Sequence, residues 1–104
     1  MTVRYVLFRK DKSGKASERV RLQPAHIEYQ QPFLPLITYG GGLVDDKTDT
    51  GSQVNIQDVT GNLIVFKANR AIVEDFHKND PYTLAGIFDF VIIKRIWQRV
   101  PSLD

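Results

Sequence analysis

A chain of 104 residues has room for one domain, spanning 1–104, and a layer of helices on a sheet is about the largest core it can close. A composition of 42% hydrophobic and 25% charged residues excludes a disordered or fibrous chain, and the lack of cysteine excludes a disulfide frame, a thiolate nucleophile and a cysteine-bound zinc. The net charge of +2 comes from 14 basic and 12 acidic residues dispersed along the chain, which argues against a nucleic-acid partner.

The opening MTVRYVLFRK has no long apolar segment after a basic start, and no apolar run approaches the roughly 20 residues of a membrane span. The expectation is a cytoplasmic protein with no membrane partner. Thr2 to Lys10 reads as a strand, with Val3, Tyr5 and Leu7 on one face and Val6 and Phe8 on the other. After the polar loop DKSGKA, a helix opening at Ser17 or Glu18 runs towards Tyr29. Pro24 restarts or kinks it, and Pro32 and Pro35 cut it short.

Leu36 to Tyr39 is a short second strand, followed by Gly40, Gly41 and Gly42, whose spacing is not that of a phosphate loop. The polar loop DDKTDTGS then leads to Gln53–Val59 and Leu63–Ala68, separated by Thr60, Gly61 and Asn62, which reads as a hairpin. Asn69 is placed to cap a second helix from Arg70 to Lys78, with Ile72, Val73 and Phe76 as its apolar stripe. Pro81 ends it by holding Asp80 out of helical geometry. A last strand, from about Phe88 to Arg99, sets Phe88, Phe90, Ile92 and Ile96 on one face and Val91, Ile93 and Trp97 on the other.

Strand, helix, strand, strand, helix, strand is the split βαβ pattern of a ferredoxin-like α+β fold, here with an extra hairpin strand. Helices cover one face of such a sheet. The other face is also apolar and asks for a second copy, which predicts a homodimer built as a dimeric α+β barrel.

Two histidines carry the candidate chemistry. His77, among Asp75, Lys78 and Asn79, reads as solvent-facing. His26 follows Pro24 and Ala25, and its imidazole can exchange a proton near neutral pH. Asp80, fixed before Pro81, is a natural companion, because a carboxylate that accepts the imidazole N–H sets the tautomer and stabilises the protonated ring. The residues alone leave a capping aspartate and an unrelated histidine as the alternative.

The segments QPAHI, with Arg19 before it, and DPYTLAG, followed by an apolar strand, resemble the YciI-like (YCII-related) family over most of the chain. The resemblance implies a dimeric ferredoxin-like barrel carrying a histidine–aspartate dyad, His26 with Asp80, and makes Pro81 the residue that orients the carboxylate. It also implies cofactor-free lyase or isomerase chemistry on a small molecule, the best-understood case being dehydrochlorination of a chlorinated hydroxyquinol with the histidine as base. Arg19 and Asp11 fall where such a site needs an oxyanion-stabilising arginine and a carboxylate to hold it.

Where the family commonly has Gly-Ser, this chain reads Gly61-Asn62, with Gly51-Ser52 as the other candidate. Asn62 or Ser52 is therefore expected to support the oxyanion. Tyr82, beside the motif, and Tyr39, beside the glycines, are the favoured pocket-lining aromatics. A non-catalytic binding module and a haem-handling relative with His26 as axial ligand are the alternatives. RYVLFRK and NLIVFKA lack the glycines of an RNA-binding strand, and Asp45, Asp46 and Asp49 lack the EF-hand spacing of a metal loop.

Overall fold

The computed structural model describes residues 3–101. Four strands, β1 (Arg4–Asp11), β2 (Ile37–Gly42), β3 (Gly61–Lys67) and β4 (Phe88–Ile96), form an antiparallel sheet in the order β2-β3-β1-β4. The helices are α1 (Ala16–Gln30), α2 (Arg70–Asn79) and the single turn α3 (Pro81–Leu84). This is the ferredoxin-like order, in which β3 lies between β2 and β1 and both crossovers place their helices on the same face.

Alternation along the strands sorts the residues between the two faces. Tyr5, Leu7 and Arg9 of β1 pair with Phe66, Ile64 and Asn62 of β3, and all six point to the helices. Leu7, Ile64 and Phe66 close the core with Val73 and Phe76 from α2, while Tyr29, Phe33 and Ile93 pack around them. Each fully buried side chain of this kind contributes about 1.5–3 kcal/mol. On the opposite face Val6 and Phe8 pair with Val65 and Leu63, and Phe8 meets Phe90 edge-on at 6.2 Å.

Several expectations change. Residues 53–59 form no strand, and among the described residues the sheet has no extra hairpin member. β3 is already flanked by β2 and β1, so neither edge of β3 is left for this segment to pair with as a hairpin. It instead makes a 3-10 turn at Ile56–Asp58. Gly61 and Asn62 belong to β3 rather than to a turn. Gly61 is required there, because a Cβ would collide with the carbonyl oxygen of Arg9.

α1 is not shortened. It holds 15 residues and continues through Pro24. Both Pro24 and Val20, whose carbonyl loses its helical donor, are exposed, so water can satisfy the freed acceptor. Pro32 and Pro35 are taken up by a separate 3-10 turn, Gln31–Leu36. The last strand ends at Ile96 rather than near Arg99. A bulge opposite Lys10 and Asp11 also turns Phe88 to the helix face, away from Phe90.

Candidate active site

The segment after α2 sets the first functional group. Asn69 opens α2 by accepting the Ile72 N–H at 3.1 Å, and Asp80 closes it in extended geometry. Asp80 also caps α3, with Pro81 at the first helical position. Its Oδ1 accepts the Tyr82 backbone N–H at 3.0 Å and the His26 Nδ1–H at 2.9 Å. Its Oδ2 lies 3.0 Å from Arg9 Nη1, with both side chains fully buried. Burial alone would raise the Asp80 carboxyl, but the His26 hydrogen bond, the Arg9 charge and the Tyr82 amide together hold it below the ordinary aspartate value.

An ionised carboxylate can only accept, so the shared proton resides on His26 Nδ1, and Nε2 is the ring position left to release or take a proton. His26 is buried on α1 and stacks on Tyr82, with ring centroids 4.4 Å apart. The other face of the site is tied by Arg19, whose Nε and Nη2 donate to the two oxygens of Asp11 at 2.7 and 2.8 Å. The Arg19 guanidinium lies 4.5 Å from the Tyr82 ring centroid. Burial works against its charge, yet Asp11 raises Arg19 above the usual guanidinium value, whereas burial pushes the Tyr82 phenol up with Arg19 opposing.

His26, Arg19 and Tyr82 border a cavity of about 430 Å³, a size suited to a small ligand, with Asp80 and Asp11 behind them. Arg19, His26, Asn62 and Tyr82 give it a polar side, and Ile27, Leu34, Ile37, Ile56, Val59 and Ile64 an apolar one. Gly40–Gly42 supply a wall of bare backbone. A Cβ on Gly42 would stand 2.9 Å from Val59 Cγ1, so that glycine lets the loop after β2 close over the cavity.

The structure thus brings His26, Asp80, Arg19, Asp11, Pro81, Asn62 and Tyr82 together. Ser52 is not among them. It is exposed in the loop after β2, with its hydroxyl 3.5 Å from Asp49, because residues 43–60 run outside the sheet. Tyr39 is also placed elsewhere: the β2 register pairs it with Val65 on the open face, where it is 70% exposed.

His77 corrects a further expectation, since it is half-buried rather than solvent-facing. Its Nδ1 accepts from Arg9 Nη1 and the Thr83 hydroxyl, each at 3.3 Å. Burial and then the Arg9 charge hold it below the usual histidine value. Arg9 itself was not singled out from the sequence. It is fully buried, its guanidinium 4.4 Å from the Phe88 ring and 5.6 Å from that of Phe76, and its Nε donates to Asn62 Oδ1 at 3.0 Å. Burial lowers Arg9 from its ordinary value, with Asp80 opposing. The available signal was its position two residues after Leu7, on the face that alternation assigns to the core.

The family comparison agrees with this architecture. The model of the YCII-related domain matches residues 3–97, and the chain belongs to that family. Among solved structures it is similar to 5-chloro-2-hydroxyhydroquinone dehydrochlorinase (TftG) from Burkholderia phenoliruptrix AC1100 in complex with 2,5-dihydroxybenzoquinone. The two are 29% identical with a TM-score of 0.77, over 91% of this chain and 93% of the other. A hypothetical Arabidopsis thaliana protein shares the fold at 16% identity and a TM-score of 0.50, over 98% of this chain and 92% of its own. A search of curated proteins finds no match. No helix among the described residues is long and apolar enough to cross a membrane.

Proposed function

We propose that the protein is a lyase in which His26 acts as general base on a hydroxylated ring or a related enolic substrate, with dehydrochlorination of a chlorinated hydroxyhydroquinone as the leading case. The observation that carries this reading is the His26 Nδ1–H···Asp80 Oδ1 bond of 2.9 Å at a histidine that borders the cavity. It leaves Nε2 to take a proton, while the buried carboxylate stabilises the imidazolium that forms. The likeness to TftG over nine-tenths of both chains supports the ring substrate.

In this reading the substrate lies with its ring against Ile27, Leu34 and Ile64 and a hydroxyl towards His26. As that hydroxyl loses its proton, negative charge grows on oxygen, and the Asn62 amide N–H and the Arg19 charge stabilise it. The ring carbon bearing chlorine gains a proton in the keto form. Loss of a second hydroxyl proton then expels chloride, so that one HCl leaves and the ring reaches the quinone level without an external oxidant. The open sheet face, with Phe90 at 45% and Ile92 at 42% exposure, supports a homodimer formed sheet to sheet.

Purified protein mixed with 5-chloro-2-hydroxyhydroquinone is expected to release chloride in step with quinone absorbance, above the spontaneous rate. Tight binding of 2,5-dihydroxybenzoquinone with no chloride released from any chlorinated hydroxyquinol would replace the lyase with a binding module.

A further inference from the structure

Arg9 lies behind the cavity wall, and nothing in the His26 and Asp80 chemistry requires a second buried cation. Its contacts nevertheless join the two halves of the site. Nη1 stands 3.0 Å from Asp80 Oδ2, on the side of the carboxylate away from His26, and Nε donates to Asn62 Oδ1 at 3.0 Å. Phe88, 4.4 Å away, and Phe76, 5.6 Å away, flank the guanidinium.

The chemistry of that second bond has a consequence for Asn62. A guanidinium has donors and no acceptor, so only the amide oxygen of Asn62 can face Arg9. The amide NH2 is thereby turned to the other side of the Asn62 side chain, which borders the cavity. Reversing the amide would set NH2 against Nε–H, two donors facing one another in a buried site.

We propose that Arg9 is the positioning residue of this site, a planar fork that fixes the Asp80 carboxylate behind His26 and holds the Asn62 amide with its N–H groups towards the substrate oxyanion. The proposal rests on the lyase reading and deepens it. Lysine keeps the charge at position 9 but cannot serve both partners in one fixed plane, so Arg9→Lys separates positioning from charge.

The test is a double-mutant cycle with Arg9→Lys and Asn62→Ala, read as chloride release from 5-chloro-2-hydroxyhydroquinone. A second readout, without substrate, is the NMR signal of the Asn62 side-chain NH2, with Lys12→Ala as an exposed control. Arg9→Lys is expected to lower kcat about a hundredfold with KM held within a few-fold, and to cost at least tenfold less in the Asn62→Ala background. The Asn62 NH2 signal is expected to shift and broaden in Arg9→Lys and to stay in place in the control.

Equal losses in both backgrounds, within about twofold, would overturn the proposal. So would an Asn62 signal indifferent to Arg9→Lys, whatever the turnover. If the unsubstituted protein releases no chloride, the lyase reading falls, while the NMR result still decides the role of Arg9. Should Arg9→Lys fail to fold, Asn62→Ala with Arg9 in place reports the same coupling. The slowly exchanging Arg9 Nε–H resonance is expected to be lost there, and its persistence would overturn the proposal.

Discussion

The two faces of the sheet are built from the same strands and have opposite characters. On the helix side, β1 and β3 carry Arg9 and Asn62 into full or nearly full burial, and both are held by named polar partners. On the open side the same strands present Val6, Phe8, Leu63 and Val65, apolar residues with no helix over them. Polar groups are thus buried where chemistry is proposed, and apolar groups remain uncovered where a second copy is expected. Burial of an ion pair such as Arg9 with Asp80 is weak support for stability, because desolvation opposes the attraction. Its presence in so small a core is better explained by what it positions.

The strongest way to break this contrast is to remove one partner of the buried pair. Asp80→Ala leaves Arg9 charged in the core without its carboxylate partner, and urea unfolding is expected to show a loss of about 3–5 kcal/mol. A loss below about 1 kcal/mol would mean that the pair is hydrated like a surface ion pair. On the open face, Phe90→Asp is expected to leave the fold intact by circular dichroism and to convert a dimer into a monomer by light scattering. An unchanged mass would move the interface elsewhere.

A smaller effect separates the titratable groups. His77 and Asp80 are both held below their ordinary values, so in each case the unfolded chain binds more protons in the window between the two states. Stability from these groups is complete above the ordinary histidine value of about 6.5 and declines as pH falls below it, with a second decline that begins near the ordinary aspartate value of about 4 and is complete once pH has fallen through the lowered value of Asp80. His77→Asn is expected to remove the first decline and keep the second in unfolding experiments across pH. The smallest change is Asn69→Ala, which deletes the α2 cap at the far end of the site helix and is expected to cost about 1 kcal/mol, without altering turnover.

Much of the fold was legible because period-two and period-3.6 patterns are local. The β1 alternation, the Asn69 cap and the Asp80-Pro81 stop all act within a few residues. The hairpin at 53–59 misled because its apolar residues suggest a strand, whereas pairing is decided by which edges remain free, and β2 occupies that edge of β3. Pro32 and Pro35 were read as shortening α1, but a 3-10 turn after it accommodates both.

In the site, His26 and Asp80 stood out by residue type and motif, while their contact spans 54 positions and no local pattern could supply it. Arg9 was hidden because it sits at the end of an apolar strand, where a charge reads as solvated. Phe88, which packs over its guanidinium, is turned towards it by the bulge in β4. His77 was misplaced for the same reason, since its polar sequence neighbours say nothing of Arg9 across the fold.

His26 as the general base is the centre of the proposed chemistry. Chloride release from 5-chloro-2-hydroxyhydroquinone by His26→Ala, compared with the unsubstituted protein at equal concentration and with circular dichroism unchanged, is expected to fall about 100- to 10,000-fold. Turnover that survives the substitution within a factor of about two would contradict it, and the cavity beside Asp80 would then need another base.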